Sequence, residues 1–205
     1  MQLRRPPSRS RSTVRELIDL GGAASLVCRK FSLPFFDFNW HVHPEVELTL
    51  IIAGRGTRHV GDSIDDVLEG EVVLIGPGTP HTWHSQPGSA VGSLCIQFPA
   101  EPLLAAGGGI PELASLSSLF ARARRGLLLD RQLGGEVASV MHEISRERSP
   151  LRRLSLLLDA LARIESSRDA SPLASVAWQP PDSARDRALE RVLRFVHEHR
   201  AQPLP

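Results

Sequence analysis

Two imidazoles, His41 and His43, stand one residue apart within residues 40–50, and the Glu47 carboxylate follows four positions after the second. Extended backbone points residues i and i+2 to one face, so a strand here aims both imidazoles into a single cavity. A second block, residues 70–81, ends in a third imidazole, His81, about one β-hairpin further on. A Glu on the next strand and a His on a neighbouring one complete a four-ligand nitrogen and oxygen set. Such a set suits Fe, Mn, Ni, Cu or Zn rather than Ca. A chain that uses these residues together must close its strands around an interior.

The surrounding text is β-like from Ala23 to about Ala100. Short apolar or alternating runs fall at 25–31, 36–42, 45–52, 56–60, 72–75 and 91–98, with Gly and Pro corners between them. This rhythm predicts a sandwich or small barrel, most simply a double-sheet jelly roll whose concave interior takes a ligand. Past Gly107, Gly108 and Gly109 the apolar period changes. Leu113, Leu116, Leu119 and Phe120 recur at helical spacing, as do Leu133, Val137, Val140, Met141 and Ile144. A third stripe runs Leu151, Leu154, Leu158 and Leu161, reinforced by Leu157 and Ile164, and Leu156 with Leu157 suggests a second contact face.

The expected organisation is therefore a disordered basic arm at 1–22, with a short helix at 14–20. A β-rich ligand domain follows at 23–105, then a helical segment at 106–165 and a flexible connector at 166–184. A last helix at 185–205 carries the stripe Leu189, Val192, Leu193 and Val196. The fold class is β-rich α+β.

Composition bounds the rest. With 205 residues and 41% hydrophobic content, the chain can bury one good core. The net charge of +1 gives no overall nucleic-acid signature, although Arg4, Arg5, Arg9, Arg11 and Arg15 make the arm basic enough for loose phosphate contact. Lys30 is the only lysine, a bias that fits GC-rich coding, as in a bacterial source. Cys28 and Cys95 form no CxxC pair and read as two small packed residues. No apolar run reaches the roughly 18 residues that span a bilayer, and the arm has no hydrophobic stretch behind its arginines. A cytoplasmic protein is expected, without membrane contact. The chain has no G-x-S-x-G, no phosphate loop and no tyrosine.

Around the candidate ligands, Trp40 and Trp83 flank the histidines and suit either an apolar pocket wall or strand packing. Glu45, after Pro44, is read as facing solvent or pairing with Arg58. His59 and His84 belong to the rim of the site or to the surface. The four central groups bind either a metal or, hydrogen-bonded in a metal-free pocket, an organic ligand.

The paired blocks resemble the signatures of the cupin superfamily. His41, His43 and Glu47 have the spacing H-x-H-x3-E, with Gly54 after six further residues, and Gly70, Gly78 and His81 fall on the second pattern. The resemblance implies a cupin double-stranded β-helix (jelly roll), with His41, His43, Glu47 and His81 as the metal positions. Departures are Gly76, where proline is usual, and Ser85, where asparagine is common. Residues 119–127 and 149–162 are similar to the helices of AraC-type transcriptional regulators, and residues 43–63 and 76–83 to that family's effector domain. This second resemblance implies a small-molecule effector held by Trp40, His41, His43, Glu47, His81 and Trp83. It also implies a homodimer formed through antiparallel helices at 112–164. Residues 187–199 look like the helix opening a DNA-binding domain, which needs roughly 80 further residues with two recognition helices. The expectation is a chain lacking most of that reader, so that DNA is a partner only of a full-length homologue. The alternative is a metal-dependent cupin enzyme, an isomerase or dioxygenase.

Overall fold

The computed structural model describes residues 14–16, 18 and 25–178. Its strands are β1 (Val14–Arg15), β2 (Val27–Leu33), β3 (His41–Val42), β4 (Glu45–Ala53), β5 (Gly56–Val60), β6 (Ser63–Val67), β7 (Val72–Ile75), β8 (His81–His84), β9 (Val91–Pro99), β10 (Leu127–Leu129) and β11 (Ala170–Pro172). They form two sheets, a five-stranded one in the order β1-β3-β8-β5-β6 and a six-stranded one in the order β11-β10-β7-β4-β9-β2. Apart from the parallel β1–β3 pair, the strands pair antiparallel, as a jelly roll requires.

The six-stranded sheet has two buried faces of opposite character. Val46, Leu48 and Leu50 of β4, Val72 and Leu74 of β7, and Leu94, Ile96 and Phe98 of β9 join the main apolar core. That core lies between the sheet and the helices α1 (Ala100–Ala106), α2 (Leu116–Ala123), α3 (Arg131–Arg146) and α4 (Pro150–Ser166). Period-2 alternation turns the intervening residues inward, where Glu47, Thr49, Ser93 and Gln97 line a cavity. A small apolar cluster of Val60, Val73 and Ile75, packed with Trp83, Leu128 and Leu173, fills another part of the interior. Cys28 packs toward the helices while Cys95 lines the cavity, so the two thiols lie on opposite faces. No disulfide joins them.

The helices begin where their sequences allow it. Asp130 caps α3, its side chain accepting from the Leu133 N–H at 2.8 Å, and Pro150 opens α4 where a missing N–H costs nothing. The α3 stripe is buried as its spacing predicts. In α4 the buried face is Leu156, Leu157, Ala160, Leu161 and Ile164, whereas Leu151 is 76% exposed. Leu156 and Leu157 thus belong to the core with Leu154 packed against it, and the apolar residues left over are the exposed Leu151 and the half-buried Leu158.

Three expectations need correction. Residues 14 and 15 form a strand rather than part of a helix, because their backbone pairs with β3 at His41 and Val42. Residues 127–129 and 170–172 are not helical segment and flexible connector but strands β10 and β11, which extend the six-stranded sheet beyond β7. The chain after β11 is strapped down: Leu173 N–H and Ala174 N–H donate to the carbonyls of Gly126 and Arg125, and Ser175 N–H donates to Asp62 Oδ1 at 2.8 Å. Gly61 permits this, since a Cβ there would come within 2.8 Å of Ala174 Cβ, at a φ of +57° that itself favours glycine. The expected helix at 185–205, like residues 179–184 and most of the arm, lies outside the described residues.

Both departures from the second motif have local causes. The Gly76 N–H donates to the Ala123 carbonyl at 2.7 Å, and a Cβ would meet the Arg124 nitrogen at 2.6 Å, so proline has neither the donor nor the room. Ser85 Oγ accepts from the Phe36 N–H at 2.8 Å and holds the segment that leads into β3.

Candidate effector and metal site

The H-x-H-x3-E stretch straddles the two sheets. His41 lies on β3 of the five-stranded sheet, paired directly with His81 of β8, and Glu47 lies on β4 of the six-stranded sheet, paired with Gln97 of β9. His43 sits at the crossing between them, its neighbour Pro44 separating β3 from β4. The expected convergence is therefore real. The ring centroids of His41 and His81 are 4.3 Å apart, those of His43 and His81 5.1 Å, and those of His41 and His43 5.8 Å. Ligand nitrogens of all three lie within 4.8 Å of one another.

Each ring is oriented by a backbone carbonyl. Nδ1 of His41, His43 and His81 lies 2.7, 3.1 and 2.8 Å from the carbonyl oxygens of Asn39, Glu45 and Thr79. A carbonyl only accepts, so every Nδ1 carries a proton, and in the neutral ring the lone pair sits on Nε2. Carbonyl-anchored imidazoles are what metal ligation demands of the atoms behind the ligands, while Nε2 of His43 meets Glu47 Oε2 and Nε2 of His41 meets Glu16 Oε2, each at 3.1 Å. His81 Nε2 supplies the test of fit. It is fully buried, lacks a hydrogen-bond partner, and lies 3.7 Å from Glu47 Oε2. A buried polar atom left unpaired is costly, and a cation at this point would satisfy it. The donor set fits a divalent transition metal.

Glu47 holds the cluster together. Its Oε1 accepts from Thr49 Oγ1 at 2.6 Å, and its Oε2 accepts from Gln97 Nε2 at 2.8 Å and lies 3.1 Å from His43 Nε2. Burial alone would raise the Glu47 carboxyl, but the His43 hydrogen bond and the nearby imidazole of His81 outweigh it and hold it well below the usual carboxylate range. Burial likewise opposes charge on His43, yet the hydrogen bond to Glu47 raises it overall and favours a proton held between the two. In His81 burial wins, and its imidazole is pushed toward the neutral form.

Next to this cluster is a cavity of about 240 Å³. Its wall includes His41, Glu47, Thr49, Gln97, Trp83, Phe31 and Arg29, while His43 and His81 lie buried behind His41 and Glu47. The Trp83 ring packs 5.5 Å from His81, in the position the sequence suggested. Trp40 does not line the cavity. It precedes β3, one residue before His41, and backbone alternation directs adjacent side chains to different sides.

A family model for the AraC-like ligand binding domain matches residues 24–161, a span that contains both sheets' site residues and helices α1 to α3. The chain belongs to that family. It contains an AraC-like ligand-binding domain built on the cupin-like fold. No curated protein matches it. Similar solved structures include a cupin 2 conserved barrel domain protein from Rhodopseudomonas palustris, at 23% identity and TM-score 0.34, covering 46% of this chain and 69% of that one. A mutant of Bacillus subtilis oxalate decarboxylase OxdC matches at 25% identity and TM-score 0.33, covering 40% of this chain and 23% of that one. The AraC-like transcriptional activator CuxR matches at 13% identity and TM-score 0.48, covering 89% of this chain and 64% of its own.

In this AraC-like domain the remaining candidates separate cleanly. Glu45 begins β4, and its carboxylate lies 3.7 Å from His43 Nδ1 rather than beside Arg58. Arg58 is 2% exposed and pairs instead with Glu71 and with Asp65 at 3.6 Å. His59 and His84 pack on Phe38, away from the cavity. Sequence reasoning missed Thr49, Gln97, Arg29 and Glu16. The first two were findable, since Glu47 and Thr49, and Ser93, Cys95 and Gln97, place polar groups at alternate positions of otherwise apolar strands. Nothing in the sequence marks Glu16, whose Oε2 lies 3.1 Å from His41 Nε2.

Proposed function

We propose that the chain senses a small-molecule effector in this cavity for a transcription regulator, with Fe, Mn, Ni, Cu or Zn held by His41, His43, Glu47 and His81. One observation carries the metal: three carbonyl-anchored imidazoles bring ring nitrogens within 4.8 Å of one another, and the buried Nε2 of His81 has no hydrogen-bond partner. Bound there, the metal supplies a Lewis-acidic attachment for an oxygen or nitrogen of the effector. The chain's own part is to orient the three rings and keep Glu47 ionised through Thr49 and Gln97, while Trp83 and Phe31 give the effector apolar contact. His43 would give up its shared proton as metal binds, so affinity should rise with pH.

Effector binding then works as a population shift, changing how the arm and the helices are held and so how DNA readers on a full-length homologue are placed. Homodimerisation through residues 112–164 is part of the proposal, supported by the exposed Leu151 at the start of α4. The proposal places the protein in the cytoplasm; among the described residues no helix is long and apolar enough to cross a membrane.

Metal analysis of protein purified without affinity chelation tests the reading. One transition metal per chain is expected, lost in His41→Ala, with a metal-dependent rise in melting temperature and no turnover. A second reading, a metal-dependent cupin isomerase or dioxygenase, draws on the coordination positions that three imidazoles and one carboxylate leave open. Turnover of oxygen or a sugar by metal-loaded protein would favour it.

A further inference from the structure

We propose that the effector is a small carboxylic acid with an apolar body, and that Glu16 is its tethered stand-in. The inference deepens the ligand-sensing reading, rests on it and applies to the metal-free protein, because His41 Nε2 cannot donate to a carboxylate while ligating a metal. Glu16 lines the cavity with Arg29 and His41 and is placed between them: Oε2 lies 3.1 Å from His41 Nε2, and Oε1 lies 3.9 Å from an Arg29 guanidinium nitrogen. A carboxylate of the chain's own arm therefore occupies a pair of donors that suits a carboxylate.

The contact to Arg29 is within ion-pair range but too long for a hydrogen bond, so the tether holds Glu16 short of the two-point geometry that guanidinium and carboxylate prefer. A free acid has no such restraint. Strand β1 leads into this carboxylate: Val14 and Arg15 lie opposite His41 and Val42, and the Glu16 N–H donates to the Val42 carbonyl at 2.9 Å. Arg29 keeps its charge, and with only Gln97 Oε1 at 3.4 Å among the described residues and solvent as other partners, it offers a ligand carboxylate a charged donor once Glu16 leaves. Glu47 is not that anion, because Thr49, Gln97 and His43 already engage both its oxygens. Asp37 at the cavity wall accepts from the Phe38 N–H.

The remaining wall sets the size and body of the ligand. About 240 Å³ holds roughly eight water volumes at about 30 Å³ each, which suits a compact acid. Phe31, Leu33, Ile51 and Trp83 offer apolar contact, and the Trp83 indole N–H is buried without an acceptor. A branched aliphatic or aromatic monocarboxylate meets both demands. Its binding displaces Glu16 and frees β1 from β3, which links cavity occupancy to the state of the arm.

Isothermal titration of the full chain with isovalerate and benzoate, their neutral amides, and glucose tests the proposal. At least one acid should bind while its amide does not. Glu16→Gln should bind that acid about tenfold more tightly, because the internal competitor no longer reduces the competent fraction. Arg29→Leu should weaken it by about tenfold or more, as expected for loss of a charge-assisted pair. Hydrogen exchange at residues 14–16 should speed up when the acid is added to wild-type protein. Equal or weaker acid binding by a folded Glu16→Gln, or no binding of either acid to it, would overturn the proposal. Binding of glucose or an amide in preference to the acids would also overturn it while leaving the ligand-sensing reading intact. Failure of that broader reading looks different, as turnover of an added compound.

Discussion

Along β4, Val46, Leu48 and Leu50 pack on the helices, while Glu47, Thr49 and Ile51 face the barrel interior. Strand β9 repeats the division, with Leu94, Ile96 and Phe98 on one side and Ser93, Cys95 and Gln97 on the other. Both faces are largely shielded from water, so burial alone does not separate them. What separates them is the kind of interaction: non-directional apolar contact outside, and directional hydrogen bonds around one carboxylate inside. The outer face supplies most of the stability, and the inner face fixes where the ligand groups point.

This comparison would break most visibly at Leu48 or Ile96. Either leucine-to-alanine or isoleucine-to-alanine change leaves a void in a dry core and should cost about 2–5 kcal/mol in urea unfolding. Metal stoichiometry of the folded protein should be unchanged. A loss below about 1 kcal/mol would mean that the outer face is not the principal source of stability.

On the inner face, Thr49→Val keeps the shape but removes the donor to Glu47 Oε1. The expected cost is about 1 kcal/mol, together with weaker metal binding in a competitive chelator titration. Unchanged metal affinity would show that the orientation of Glu47 does not matter.

The two faces should also differ in pH response. The Glu47 carboxyl is depressed, so its contribution is present above the ordinary carboxylate pKa near ~4.3 and is lost as pH falls through the folded value. The His43 imidazole is raised, so its contribution is full below ~6.5 and is lost as pH rises through the folded value. The stability difference between wild type and Glu47→Gln should therefore peak between about pH 4.3 and 6.5 in metal-free protein. The difference for Leu48→Ala should be nearly flat with pH, since no proton is involved.

The smallest effect is expected at Asp62, a solvent-exposed control. Its carboxylate accepts from Ser175 on the strap after β11, and these hydrogen bonds hold it below the ordinary range. Asp62→Ala should leave the melting temperature almost unchanged but speed proteolysis near residues 174–178. In the wild type the same loosening should appear only as pH falls below the ordinary aspartate value near ~3.9.

The convergence of His41, His43 and His81 beside Glu47 was legible because these residue types stand at short, regular spacings. His41 and His43 share a face by strand period, and Gly70, Gly78 and His81 follow at motif distance. The helical stripes of α2 and α3 were legible for the same local reason. Other elements were not. Strands β10 and β11 are three residues each and read as helix-flanking or connector text, yet they complete the sheet because Leu127, Leu129 and Ala170 bury there. In α4 several leucines compete for the buried face, and the packing against α3 and α2 chose Leu157 and Leu161 over Leu151.

Sequence alone determined the jelly roll, the helical stripes that follow the glycine run, and which three imidazoles and one carboxylate converge. Periodicity and motif spacing are properties of adjacent residues, so they need no tertiary contact to be read. Only the tertiary structure decided that Glu47 is fastened by Thr49 and Gln97, that Trp83 lines the cavity and Trp40 does not, and that Glu16 reaches His41 from far upstream. Those pairings depend on sheet register and on one sheet closing over the other, and no local pattern along the chain records which distant side chains that closure brings together.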